Sequence, residues 1–259
     1  MSNLIRYKQK YNNEFKLIDT EAKAYFLGFF HADGNLHYSK TAYSSATKLK
    51  LAIKDKEILE KFVKEFPFFT IADYINKYKY KGLEKTTDVT IIRSYNKQLF
   101  IDLLNLEVKG NIPTNIPNYL IKHFIRGLID GDGSYNKYSG NKPNKLFGMD
   151  LCMENITLAK KVGAMLEPIG IHPKYNKDRK IIKLRVRRQN ELIKLINYLY
   201  TDASWYLKRK FKIINDILVY KNLVPIKSGE LLENPEEDNQ QPSLGSAEST
   251  KKVQRLDNE

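Results

Sequence analysis

Two stretches of this chain are copies of one another. AYFLGFFHADGNL runs from Ala24 to Leu36 and HFIRGLIDGDGSY from His123 to Tyr135. Laid side by side, Gly28 falls on Gly127, Ala32 on Gly131, Asp33 on Asp132 and Gly34 on Gly133. The segments downstream of the two copies repeat as well. TKLKLAIK, KEILEKFVKEF, IADYINKYKY, DVTIIRS and NKQLFIDLLNL come after the first; KLFGMDLCM, ITLAKKVGAML, PKYNKD, KIIKLRVRR and NELIKLINYLY come after the second. Each half reads helix, two strands, helix, two strands, helix. A repeat of this kind predicts two similar units, residues 1–110 and 111–228. The mixed order predicts the α+β class with antiparallel sheets.

The strands alternate cleanly. In KLRVRR, Lys183, Arg185 and Arg187 take one face, and Leu184 and Val186 the other. In KLKLAIK, Lys48, Lys50 and Lys54 oppose Leu49, Leu51 and Ile53. Each sheet is expected to bury one face under helices and turn a basic face outward. Tyr74, Asn76, Tyr78 and Tyr80 share one face of their strand and Lys77, Lys79 and Lys81 the other, so the sequence leaves that strand's facing open.

The chain carries a net charge of +14. From Gly229 onward three Lys/Arg stand against eight Asp/Glu, a net of −5, which leaves +19 on residues 1–228. A body so basic points to a polyanion. The outward Lys48, Lys50, Lys54, Lys183, Arg185 and Arg187 are the candidates to meet such a polyanion; if it is a nucleic acid, arginine suits guanine and lysine suits phosphate. No apolar run approaches the roughly 20 residues of a membrane span, and the start of the chain is polar rather than signal-like. Cys152 stands alone, so neither a disulfide framework nor a CxxC zinc pattern is present. An intracellular setting is expected, either a bacterial or phage cytoplasm or an organelle matrix, with no membrane partner.

Gly28 and Ala32, like Gly127 and Gly131, lie four residues apart, about one helical turn. Small residues on one face let two helices approach closely. Asp19 or Thr20 can cap the first helix, and Pro117 suits the start of the second. If the helices pack on these faces, Asp33 and Asp132 meet at two negative helix ends. Hard oxygen donors brought together there suit Mg²⁺, with Mn²⁺ as a substitute. Mg²⁺ beneath a basic sheet suits phosphodiester hydrolysis.

FLGFFHADG and IRGLIDGDG resemble the paired motifs of the LAGLIDADG homing endonucleases, in their single-chain form, over roughly residues 20–220. The resemblance implies two αββαββα units whose sheets form a saddle over DNA. It implies a monomer that cuts double-stranded DNA at a long asymmetric site and promotes intron mobility. It assigns the catalytic metals to Asp33 and Asp132, with the carbonyls of Ala32 and Gly131 as further ligands. Basic residues near the scissile bonds correspond to Lys109 and Lys210, and polar residues contacting water to Lys54 and Glu154. His31 departs from the family's usual aspartate, whereas Asp130 keeps it in a structural place at the helix end. Arg126 replaces a common alanine and is expected to face solvent or a loop.

From about Ser228 the chain loses periodicity and aromatics and reads as a disordered acidic tail, residues 229–259. DNQQP and KVQRL in that tail can be encoded by strings that look like core segments of a group I intron. The alternative function is accordingly a maturase of the same fold, binding its host intron RNA. Retention of both aspartates favours cleavage.

Overall fold

The computed structural model describes residues 11–39, 44–108, 111–138 and 145–227. Lys109 and the acidic stretch 229–259 lie outside the described residues. The first half runs α1 (Glu21–Asp33), β1 (Gly34–Ser39), β2 (Ser44–Ala52), α2 (Lys56–Glu65), β3 (Thr70–Tyr80), β4 (Leu83–Ser94) and α3 (Lys97–Asn105). The second repeats it as α4 (Ile121–Asp132), β5 (Gly133–Lys137), β6 (Phe147–Met153), α5 (Ile156–Leu166), β7 (Lys174–Asp178), β8 (Ile181–Val186) and α6 (Gln189–Tyr200). A further helix, α7 (Lys208–Tyr220), adds to the order that the repeat predicts; it begins within YLKRKF and has no counterpart among the described elements of the first half. Two antiparallel four-stranded sheets result, ordered β1-β2-β4-β3 and β5-β6-β8-β7. The class is α+β, and the repeat is real in three dimensions.

Local chemistry explains the helix starts. Thr20 caps α1, its hydroxyl accepting from the Lys23 N–H at 3.2 Å. Asn96 and Asn155 do the same for α3 and α5. Pro117 precedes a 3₁₀ turn, Asn118–Leu120, and α4 proper begins at Ile121. Both motif helices run into a glycine, Gly34 or Gly133, whose N–H bonds the carbonyl four residues back as the chain turns into a strand.

α1 and α4 pack backbone to backbone. A β-carbon on Gly28 would stand 2.0 Å from the Phe124 carbonyl oxygen, and one on Gly127 2.2 Å from that of Tyr25. One on Gly131 would meet the Ala32 β-carbon at 2.3 Å. The small-residue face therefore sets the distance between the halves. Phe29, Phe124 and Leu128 flank this seam, all but excluded from water. Their burial stabilises the pair by about 1.5–3 kcal/mol per side chain. An aromatic cluster of Phe15, Phe26, Phe62, Phe66 and Trp205 continues the core, with rings about 5 Å apart. Buried residues of both halves form one connected core.

Candidate active site and nucleic-acid interface

Asp33 is the last residue of α1 and Asp132 the last of α4, and both are exposed. The close seam brings these ends together: Asp33 Oδ2 lies 3.2 Å from where a β-carbon on Gly131 would stand. Ala32 and Gly131, half-buried, touch across the same seam. A cavity of about 40 Å³ beside the junction is lined by His31, Ala32, Asp132, Cys152 and Glu154, among others. Glu154, just past β6, thus lines the same cavity as Asp132. Among the described residues no group of three or more His, Cys, Asp or Glu forms a metal cage. The donor set is two carboxylates with adjacent carbonyls, hard oxygens of the kind that Mg²⁺ accepts while keeping several waters.

The residues around this junction are fixed by buried polar contacts. Asp130, fully buried, accepts from the Tyr25 and Tyr200 hydroxyls and the Leu207 N–H, each at 2.8 Å. Burial pushes its carboxyl above the ordinary value, and the Lys210 charge opposes that push. Asp130 is thus a structural clasp, and His31 is another, its Nε2 lying 3.0 Å from the Asn111 carbonyl.

Lys210 departs from expectation. It is 4% exposed, and its ammonium donates to the carbonyls of Ile129, Asp130 and Gly133 at 2.7, 2.5 and 2.6 Å. The Gly131 carbonyl is a fourth neighbour at 3.3 Å. Three N–H donors are thereby used, so the group closes the negative end of α4 rather than facing a cleft. Burial lowers its pKa, against the pull of Asp130, Asp33 and Asp132. The lysine that the resemblance sets near the scissile bonds is thus buried at the end of α4, beside Asp132, rather than exposed to solvent.

Arg126 also corrects its expectation: it is wholly buried. Nε donates to the Trp205 carbonyl at 2.6 Å, Nη1 to Leu199 at 2.5 Å and Nη2 to Glu21 at 2.5 Å. His123 Nδ1 lies 2.7 Å from Nη2, so this ring nitrogen is the acceptor and the imidazole is neutral. Burial and the Arg126 charge push the His123 pKa down to about 3.

The outward sheet faces differ between the halves. In the first, Lys48 pairs Arg93 across the ladder and Lys50 pairs Ile91; Ile91 and Val89 in turn oppose Ala72 and Tyr74. Directly opposed residues share a face, so Tyr74, Asn76, Tyr78 and Tyr80 lie on the same side as Lys48, Lys50 and Arg93. That register settles the facing the sequence left open. The Arg93 guanidinium lies over the Tyr74 ring at 5.5 Å and bonds its hydroxyl. Lys54 does not continue the β2 alternation: the strand ends at Ala52, and Lys54 sits exposed in a 3₁₀ turn, Ile53–Asp55.

The second face is basic but compensated. Lys183 pairs with Asp178 at 2.6 Å, and Arg187 with Asp150 at 2.5 Å. Arg185 Nε stands 3.6 Å from the same carboxylate. The uniformly basic outward face expected for this sheet is therefore corrected. Arg93 and Asp150 are functional candidates that the sequence reading misses, although the alternation in DVTIIRS and KLFGMDLCM places both outward.

Residues 120–199 match the LAGLIDADG-like domain. The chain carries a LAGLIDADG-like domain. Its fold is that of the LAGLIDADG homing endonucleases. The meganuclease I-AabMI, solved bound to uncleaved DNA, superposes with a TM-score of 0.52 at 12% identity, covering 76% of this chain and 89% of its own. Full-length DUF199/WhiA from Thermatoga maritima gives 0.52 at 15% identity, covering 85% of this chain. This chain spans 65% of that protein's length. Mesophilic variants of the homing endonuclease I-DmoI give 0.48 at 16% identity, covering 72% of this chain and 93% of theirs. No curated protein matches the sequence.

Proposed function

We propose that this LAGLIDADG-like protein is a monomeric, divalent-metal-dependent endonuclease that cuts double-stranded DNA at a long asymmetric site and spreads the group I intron that encodes it. The carrying observation is the meeting of Asp33 and Asp132 at two helix ends drawn together by glycine contacts. Two carboxylates on two negative helix ends favour a bound cation, and the buried Lys210 ammonium is one positive charge that acts on both. Asp33 and Asp132, with the carbonyls of Ala32 and Gly131, would hold Mg²⁺, or Mn²⁺ in its place. The bound ion would ease deprotonation of water and neutralise phosphate charge. The protein's own part is geometric: the seam fixes the carboxylates, and the outward strand residues Lys48, Lys50, Arg93 and Arg187 hold the duplex. Two unlike faces predict an asymmetric target.

The test is cleavage of DNA spanning the uninterrupted form of the gene that carries this reading frame, in Mg²⁺, Ca²⁺ or EDTA. Specific cutting in Mg²⁺ is expected, abolished in both Asp33→Asn and Asp132→Asn. Cutting that survives both substitutions would overturn the metal assignment. Tight binding without cutting in any metal would favour the maturase reading, with the intron RNA as partner.

A further inference from the structure

Asp150 is an acid on a face meant for a polyanion. Its place is informative. Gly34 pairs Leu49 in the first sheet and Gly133 pairs Leu151 in the second, so Asp150 stands where Lys48 stands in the other half. Lys48 pairs Arg93, and Asp150 pairs Arg185. One half thus sets a cation beside its arginine and the other sets an anion.

That anion holds Arg187. Asp150 Oδ1 and Arg187 Nη2 are 2.5 Å apart, in contact as charges rather than as an aligned hydrogen bond. The guanidinium lies 4.8 Å from the Tyr138 ring, and the Tyr138 hydroxyl donates to the Arg187 carbonyl at 2.5 Å. Gln189 Nε2 donates to the same carbonyl at 3.0 Å. A β-carbon on Gly148 would stand 2.3 Å from Arg187 Nη1, so only glycine there leaves the guanidinium its place across β6. Ring, carboxylate and glycine together restrict a side chain that is otherwise long and mobile. With Asp150 against it, Arg187 has little net charge to offer a phosphate, whose attraction is electrostatic. Nη1 donates one N–H to the Met149 carbonyl at 3.4 Å, which fixes the planar fork further, and the remaining N–H donors suit the paired O6 and N7 acceptors of guanine.

We propose that Asp150 and Arg187 form a base-reading unit, in which Asp150 positions the Arg187 guanidinium to recognise a guanine in the half-site under the second sheet. The proposal rests on the DNA-binding reading of the whole protein, and the test separates the two. Full-length protein selects sites from a randomised duplex library in Ca²⁺, beside Asp150→Asn and Arg187→Lys, each first checked for folding by its denaturation curve. Wild type is expected to enrich one asymmetric site. Both variants are expected to lose about 10- to 100-fold of the preference at one G·C pair while keeping the rest of the site. The Arg187→Lys variant keeps the charge and loses the fork, so it reads base recognition apart from electrostatics. If Asp150→Asn selects the same site with unchanged stringency, the unit is refuted. A uniform gain in affinity with a steeper salt dependence refutes it as well, because Asp150 would then only screen charge. Wild type enriching no sequence would overturn the DNA-binding reading and take this proposal with it.

Discussion

Arg126 and Lys210 are buried cations whose partners come from remote parts of the chain. Arg126 meets Glu21, 105 residues away, and the Leu199 and Trp205 carbonyls. Lys210 meets a helix end some 80 residues away. A sequence offers no local signal for such contacts, and the default for arginine or lysine is exposure; hence Arg126 reads as solvent-facing and the burial of Lys210 goes unforeseen. The aspartates are legible for the opposite reason, since each sits in a short repeated string with its glycine at fixed spacing. Removing the Lys210 charge leaves three buried carbonyls without their donor. Lys210→Met is expected to lower stability by about 3–5 kcal/mol, measured by urea unfolding. A loss under about 1 kcal/mol would show that the clasp is dispensable.

Elements are the most legible level. The period-2 pattern places Leu49, Leu184 and Val186 inward as observed, and the repeated order of helices and strands holds through both halves. Two things escape it. Lys54 looks like the next outward residue of β2, but the strand has already ended; alternation says which face a residue takes and not where a strand stops. The β3 facing needs the register, which pairs residues far apart in sequence. The α1–α4 seam is readable because a small face has few other uses. It also yields a sharp expectation. At Gly127 an added methyl would meet backbone atoms of Tyr25 and Phe29, and backbone cannot swing aside as a side-chain tip can. Gly127→Ala should cost about 3 kcal/mol, a fall in Tm of about 6–12 °C for a domain of this size. Gly28→Ala should behave alike. A thermal melt unchanged in either would mean that the helices are not packed on this face.

At the scale of the molecule, the seam has two ends with different chemistry. Asp33 and Asp132 gather negative charge at the C-terminal end, while Glu21, His123 and Arg126 close the other end across both halves. That second cluster ties the union of the halves to pH. In the unfolded chain His123 takes a proton below about pH 6.5; in the fold its pKa is pushed down to about 3, because protonation would set a buried imidazolium against Arg126. Protons therefore bind the unfolded state more readily, and stability, full above about pH 6.5, falls as pH drops toward 3. Over pH 6.5 to 4.5, a window that stops just above the ordinary carboxylate pKa values of about 3.9 to 4.3, the loss from His123 should reach about 2–3 kcal/mol. Asp130, whose pKa is raised by burial, acts in the opposite sense as pH falls, so the comparison must be made within a pair of proteins that both keep it. His123→Asn keeps an acceptor for Arg126 and cannot titrate. Urea unfolding at pH 7.5 and 4.5 should show the drop in wild type and little or none in the variant. An equal drop in both would place the pH sensitivity elsewhere and leave His123 as packing alone.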